Sequence, residues 1–106
     1  MRKLIVFTLF TLFCVSATAI LIPVYTGEAS WYGKWHHGKT MANCEPFDMY
    51  AMTAASKSLP LGCFVEVTNL ENGNTCKVEI TDRGPYVEGR VIDVSYGVAE
   101  VLEMVE

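Results

Sequence analysis

Two short runs of alternating side chains, residues 63–68 and 75–80, constrain what this chain can fold into. In Cys63-Phe64-Val65-Glu66-Val67-Thr68 the odd positions are apolar, with Phe64 as an extra; in Thr75-Cys76-Lys77-Val78-Glu79-Ile80 the even positions are. A period of two over that length is the signature of half-buried strands. Leu70-Glu71-Asn72-Gly73-Asn74 lies between them, and Asn72-Gly73 suits a turn that needs positive φ. Pairing the runs about that turn sets Val65, Val67, Val78 and Ile80 on one inward face.

Strand signals dominate elsewhere too. Residues 25–32 are rich in aromatic and small side chains and read as a first strand. Residues 35–40 read as a loop, Pro60 and Gly62 punctuate the entry to the hairpin, and residues 89–93 read as another short strand. Ser95 is placed to cap a final helix through Met104, whose Val98, Val101, Leu102 and Val105 form an apolar stripe for the core. The expectation is an all-β domain with one short C-terminal helix, without an internal repeat or a second domain.

The N-terminus reads as an export signal. Met1-Arg2-Lys3 is the positive start, residues 4–15 are almost wholly apolar, and Ala17-Thr18-Ala19 fits the small-x-small cleavage pattern. Residues 1–19 are thus expected to be a signal peptide and 20–106 the mature domain, periplasmic or extracellular in the cell envelope. Left uncut, the uncharged stretch 4–24 is long enough to span a bilayer; once cut, no stable membrane association is expected. The whole chain carries a net charge of −4, and the leader holds Arg2 and Lys3 but no acid, so the mature part is more acidic still. That charge argues against nucleic acid or anionic lipid as partner and tolerates neutral polymers such as glycans.

Cys44, Cys63 and Cys76 remain after the leader, and export favours one bridge with one thiol left over. Cys63 and Cys76 share a hairpin face but sit several residues apart, so a bridge between them is geometrically disfavoured. Cys44 bridging to one of them is the expectation. The spacing resembles no zinc motif.

Three acids stand where chemistry is feasible. Asp82 ends the second alternating run, ahead of Arg83-Gly84-Pro85, and Pro85 stiffens that loop and pushes Gly84 towards an extended conformation. Glu45 and Asp48 lie in a second loop flanked by aromatics. Glycosidic cleavage needs a proton donor at the leaving oxygen and help at the anomeric carbon, which carboxylates near aromatic sugar platforms can supply. Trp31 and Tyr32 fit either sugar stacking or barrel-core packing. Arg83 and Arg90 fit either substrate contact or pairing with Glu88 and Asp93, and Tyr86 either a groove or a loop anchor. His36 and His37 are adjacent and would face opposite ways on a strand.

Many ordered pieces of the chain resemble the RlpA family: Gly27-Glu-Ala-Ser-Trp-Tyr-Gly33, His37-Gly-Lys-Thr40, Ala42-Asn43, residues 45–49, Met52-Thr-Ala-Ala55, Leu59-Pro-Leu-Gly62, Val67-Thr-Asn-Leu70, Asn72-Gly73, Asp82-Arg-Gly-Pro85 and Gly89-Arg-Val-Ile-Asp93. The resemblance implies a small six-stranded double-psi β-barrel related to expansins. It implies lytic transglycosylase activity on peptidoglycan glycan strands, preferring strands stripped of stem peptides, with no cofactor and no metal. Asp82 matches the acid of the Asp-Arg-Gly-Pro motif, and Glu45 and Asp48 match a Glu-x-x-Asp pair; these three are the catalytic candidates. Trp31, Tyr32, Ser56, Arg83 and Tyr86 are the substrate-binding ones.

Three departures from the family pattern matter. Ser56 stands where the family has a histidine, Cys44 replaces a glycine, and the sequence stops at Glu106, where the family continues into a last barrel strand. A barrel without that strand would expose a sheet edge, which leaves three outcomes open: the final residues close it, a partner pairs with it, or the chain is a shortened copy. The implied mechanism needs one carboxyl: it protonates the oxygen between muramic acid and glucosamine, then takes the proton of the sugar's C6 hydroxyl as a 1,6-anhydro ring closes. Ser56 cannot titrate at useful pH, which keeps a non-catalytic, expansin-like glycan-binding module as the alternative. A two-carboxylate hydrolase with a water between its acids is the third reading.

Overall fold

A computed structural model of the chain describes residues 3–10 and 24–105. Its strands are β1 Lys3–Phe10, β2 Val24–Tyr32, β3 Thr53–Ala55, β4 Phe64–Asn69, β5 Thr75–Asp82 and β6 Arg90–Ser95, followed by helix α1 Tyr96–Val101. They close into a barrel in the order β1-β2-β6-β3-β5-β4. The β2–β6 and β3–β5 pairs are parallel and the other neighbours antiparallel.

The β4–β5 hairpin forms as its alternation requires. Val65 pairs with Val78 and Val67 with Cys76, and Val65, Val67, Val78 and Ile80 are fully buried. Gly73 takes a φ of 80° in the turn, and its N–H donates to the Asn69 carbonyl at 2.7 Å. Ile92, Val94, Val98, Leu102 and Met104 complete the core. Each such side chain contributes roughly 1.5–3 kcal/mol on burial, so the barrel interior is the main source of stability.

The barrel is closed, and by the N-terminal strand rather than by the final residues. Its sixth strand is β1, paired antiparallel to β2 on one side (Ile5 opposite Gly27) and to β4 on the other (Ile5 opposite Asn69). These residues belong to the apolar run read above as an export leader; the cleavage pattern at Ala17-Thr18-Ala19 lies outside the described residues.

Ser95 caps α1 as expected, its hydroxyl accepting from the Val98 N–H. The helix stops at Val101, sooner than the apolar stripe suggests, because Leu102 caps it and Glu103 adopts a φ of 53°. Val101 is consequently exposed while Leu102 and Met104 turn inward. The helix-end carbonyls that lack intrahelical donors are met by the hairpin turn: Asn69 and Asn72 donate to Leu102 O at 2.9 and 3.0 Å, and Asn74 to Val101 O at 3.1 Å. Gly97 allows the other end to dock, since a Cβ there would lie 2.5 Å from the Tyr50 carbonyl oxygen.

The expected disulfide is absent. Cys44, Cys63 and Cys76 are all free thiols. Cys44 sits on an exposed turn, whereas Cys63 and Cys76 are half-buried at separate points of the hairpin, Cys76 opposite Val67 and Cys63 bonded through its carbonyl to Ile80. Burial pushes both hairpin thiols up, which disfavours the reactive thiolate.

Candidate active site

Strand β3 is only three residues long, yet it organises the site. It lies between β5 and β6, and Ala55 is aligned with Asp82 on one side and with Asp93 on the other. Laterally aligned residues on neighbouring strands point to the same face, and strands are about 4.8 Å apart, so the two aspartates flank Ala55 with Cα atoms on the order of 10 Å apart. The methyl group of Ala55 leaves the space between them open. Both acids line a polar cavity of about 350 Å³, with Ala55, Ser30, Arg83 and Arg90 around them and Trp31, Tyr32 and His36 closing one side.

Asp82 is fixed by the backbone. Its Oδ1 accepts from the Ala42 N–H at 2.9 Å and from the Arg83 N–H at 2.8 Å. Its Oδ2 accepts no hydrogen bond from the described residues. The loop that follows differs from the extended conformation expected at Gly84: the residue has a φ of 121°, a region favouring glycine, ahead of a cis bond to Pro85. Arg83 turns to the neighbouring loop, its Nη1 donating to the carbonyls of Ser56 at 3.1 Å and Leu59 at 2.6 Å.

Asp93 is held by side chains instead. Its Oδ2 pairs with the Arg90 guanidinium at 3.2 Å, and its Oδ1 accepts from the Ser30 hydroxyl. Sequence reasoning offered Asp93 as a pairing partner in one of two readings of Arg90, and passed over Ser30. The ion pair is present but half-buried, and it stands in the cavity wall. Asp82 ends β5, whereas Asp93 lies inside β6 between Ile92 and Val94, so the acid after the apolar pair Val91-Ile92 was a weak signal on its own.

Glu45 and Asp48 do not line the cavity. Their loop is a tight hairpin in which Met41 N–H donates to the Glu45 carbonyl at 2.8 Å and Thr40 bridges to Pro46. The Glu45 carboxylate accepts from Asn43 Nδ2 at 3.4 Å, and Asp48 accepts from the Tyr50 N–H at 2.9 Å. The loop does reach Asp82, but through backbone: the Ala42 N–H bonds the Asp82 carboxylate, and the Asn43 N–H donates to the Thr81 carbonyl at 3.2 Å. Ser56 is buried, and its hydroxyl accepts from the N–H groups of Ser58 and Leu59. Tyr86 is 78% exposed and lines neither cavity described here.

Trp31 and Tyr32 do stand at the site, shared between the polar cavity and an adjoining apolar one of about 410 Å³ that Trp35, Met49 and Tyr96 complete. Tyr32 stacks on Phe47 with ring centroids 4.5 Å apart, and Trp31 meets Tyr96 edge-on at 5.3 Å. Packing and cavity lining therefore coexist in these two rings. Trp31 Nε1 and the Tyr32 hydroxyl are buried with no hydrogen-bond partner among the described residues. His36 lies edge-on to Tyr32 at 5.3 Å, while His37 accepts from the Met49 N–H at 3.1 Å.

Burial pushes the Tyr32 phenol well above its ordinary value, and the charges of Asp82 and then Asp93 push it further. The fold thus keeps this phenol neutral where the unfolded chain would ionise it. Its contribution is complete below the unfolded value of about 10 and is lost as pH rises through the folded one. Tyr32→Phe is expected to show a shallower fall in melting temperature than the parent above roughly pH 10; thermal melts across that range check it, and identical slopes would contradict it.

Comparison with known proteins adds to this geometry. The family model described as lytic transglycolase matches residues 24–106. Among curated relatives, the endolytic peptidoglycan transglycosylase RlpA of Vibrio cholerae is 49% identical over 81 residues, covering 76% of this chain and 31% of the relative. RlpA of Pseudomonas aeruginosa strain UCBPP-PA14 is 51% identical over 80 residues (76% and 24%), and that of Campylobacter jejuni 46% over 79 (74% and 29%). In each case the match spans no more than a third of the relative's length.

Proposed function

Since the chain belongs to the lytic transglycolase family, in which its relatives are RlpA proteins, we propose that it is an endolytic peptidoglycan transglycosylase. It cleaves between muramic acid and glucosamine in glycan strands, leaves 1,6-anhydro-muramic ends and prefers strands without stem peptides. It acts in cell-wall remodelling after export to the periplasm or cell envelope, with the residue 1–19 leader as the address. Its acidic charge suits a neutral glycan better than nucleic acid.

One observation carries this reading: Asp82 presents a carboxyl oxygen that accepts no hydrogen bond from the described residues, beside a polar cavity walled by Trp31 and Tyr32. A pyranose laid against those rings brings its glycosidic oxygen to that carboxyl. Asp82 donates a proton to the leaving oxygen, the bond to the anomeric carbon breaks, and the sugar's own C6 hydroxyl closes on that carbon while a carboxylate takes its proton. No water is consumed. Two N–H donors hold Asp82 through Oδ1, leaving the working oxygen to the substrate.

Digestion of purified glycan strands, with and without stem peptides, tests the proposal by mass spectrometry of the products. Anhydro-muramic ends, released faster from the peptide-free strands, are expected. New reducing ends would make the protein a hydrolase. Binding with no new ends would leave the glycan-binding module, the reading that Ser56 favours.

A further inference from the structure

We infer that Asp93 is a second catalytic carboxylate, the group that takes the C6 proton; this rests on the transglycosylase reading above. Asp93 reaches the same cavity as Asp82 from the far side of Ala55. The roughly 10 Å between their Cα atoms leaves space between the two carboxyls for a single sugar ring over the Ala55 methyl. One acid then stands at the leaving oxygen and the other at the opposite edge of the ring, where the C6 hydroxyl must be drawn in.

The holding of the two groups also differs in a way that fits two tasks. Asp82 has one oxygen tied to backbone and one open, as a proton donor requires. Asp93 has each oxygen tied once, to Ser30 and to Arg90, and a carboxylate oxygen keeps a further lone pair for a substrate O–H. Arg90 balances its charge, and Ser30 sets its orientation from β2. Ser56, by contrast, spends its hydroxyl on its own loop, so Asp93 is the carboxylate facing Asp82 across the groove, with His36, Tyr32, Arg83 and Arg90 as the other titratable or charged groups in its wall.

The step balances without a co-reactant. The proton of Asp82 goes to the leaving oxygen as the glycosidic bond breaks. The C6 oxygen bonds the anomeric carbon, its proton passes to Asp93, and exchange with solvent restores both groups.

Asp93→Asn in the full chain, digesting peptide-free strands, is the test. Turnover should fall about 100-fold or more with KM changed little, because a general base contributes roughly 10²–10⁴. The residual product should still carry anhydro ends, and the acid-side limb of the kcat–pH profile should vanish. Asp93→Glu should recover part of the rate with the limb restored. Wild-type turnover in Asp93→Asn, or a matching loss of melting temperature and rate in both Asp93→Asn and Arg90→Ala with the limb unmoved, would overturn the inference alone. Failure of the parent protein to form anhydro ends would overturn it together with the reading beneath it.

Discussion

Asp82→Asn is expected to abolish strand cleavage while leaving glycan binding intact. The amide oxygen can still accept from the N–H groups of Ala42 and Arg83, which now hold Oδ1 at 2.9 and 2.8 Å. The cavity wall therefore survives the change. The lost function is proton donation from the other oxygen, where an amide has no transferable proton at useful pH. Positioned acid–base groups contribute roughly 10²–10⁴ in rate, so product formation should fall by at least that factor. Strand digestion with quantified ends measures the loss, and calorimetric titration with a glycan oligomer measures the retained affinity. Unchanged turnover would remove Asp82 from the chemistry.

The second large effect concerns the barrel's closure. A chain beginning at Ile20 lacks β1 and exposes the facing edges of β2 and β4. Each ladder hydrogen bond contributes about 1 kcal/mol net, and whole domains are stable by only about 5–15 kcal/mol. Losing two ladders at once therefore removes a large part of the total. Unpaired edges of this kind recruit other strands. The shortened chain is expected to melt at least 10 °C lower, taking roughly 4–8 °C per kcal/mol for a domain of this size, and to self-associate on a sizing column. A synthetic peptide of residues 3–10 should restore both properties. A monomer with the parent's melting temperature would show that β1 is dispensable. The same residues read as an export leader, so the experiment also measures what cleavage at the Ala17-Thr18-Ala19 pattern would do to the fold.

The hairpin was legible because its period of two leaves only one face for Val65, Val67, Val78 and Ile80. Ser95 was legible as a cap because N-caps are local chemistry. β3 was not, since Thr53-Ala54-Ala55 is too short to show a period. β1 was hidden by ambiguity, because an apolar run serves equally as leader and as strand. That difference carries through to the site. Asp82 stands out within its own stretch, at the end of an alternating run before Gly84-Pro85. Asp93 becomes its counterpart only when β3 inserts between β5 and β6, a register that no local pattern encodes. Glu45 and Asp48 resembled groove acids, yet their hairpin commits each to a neighbour in its own loop and leaves the backbone of Ala42 as the contact with Asp82.

Amide and indole NMR shifts of Asp82→Asn, titrated with a peptide-free muramic acid–glucosamine oligomer, locate the sugar directly. Perturbations should concentrate at Trp31, Tyr32, Ala55, Arg83 and Asp93, the walls of the cavity flanking Ala55. Shifts confined to the 43–48 hairpin, or none at saturating oligomer, would place the glycan elsewhere and contradict the assignment of this groove.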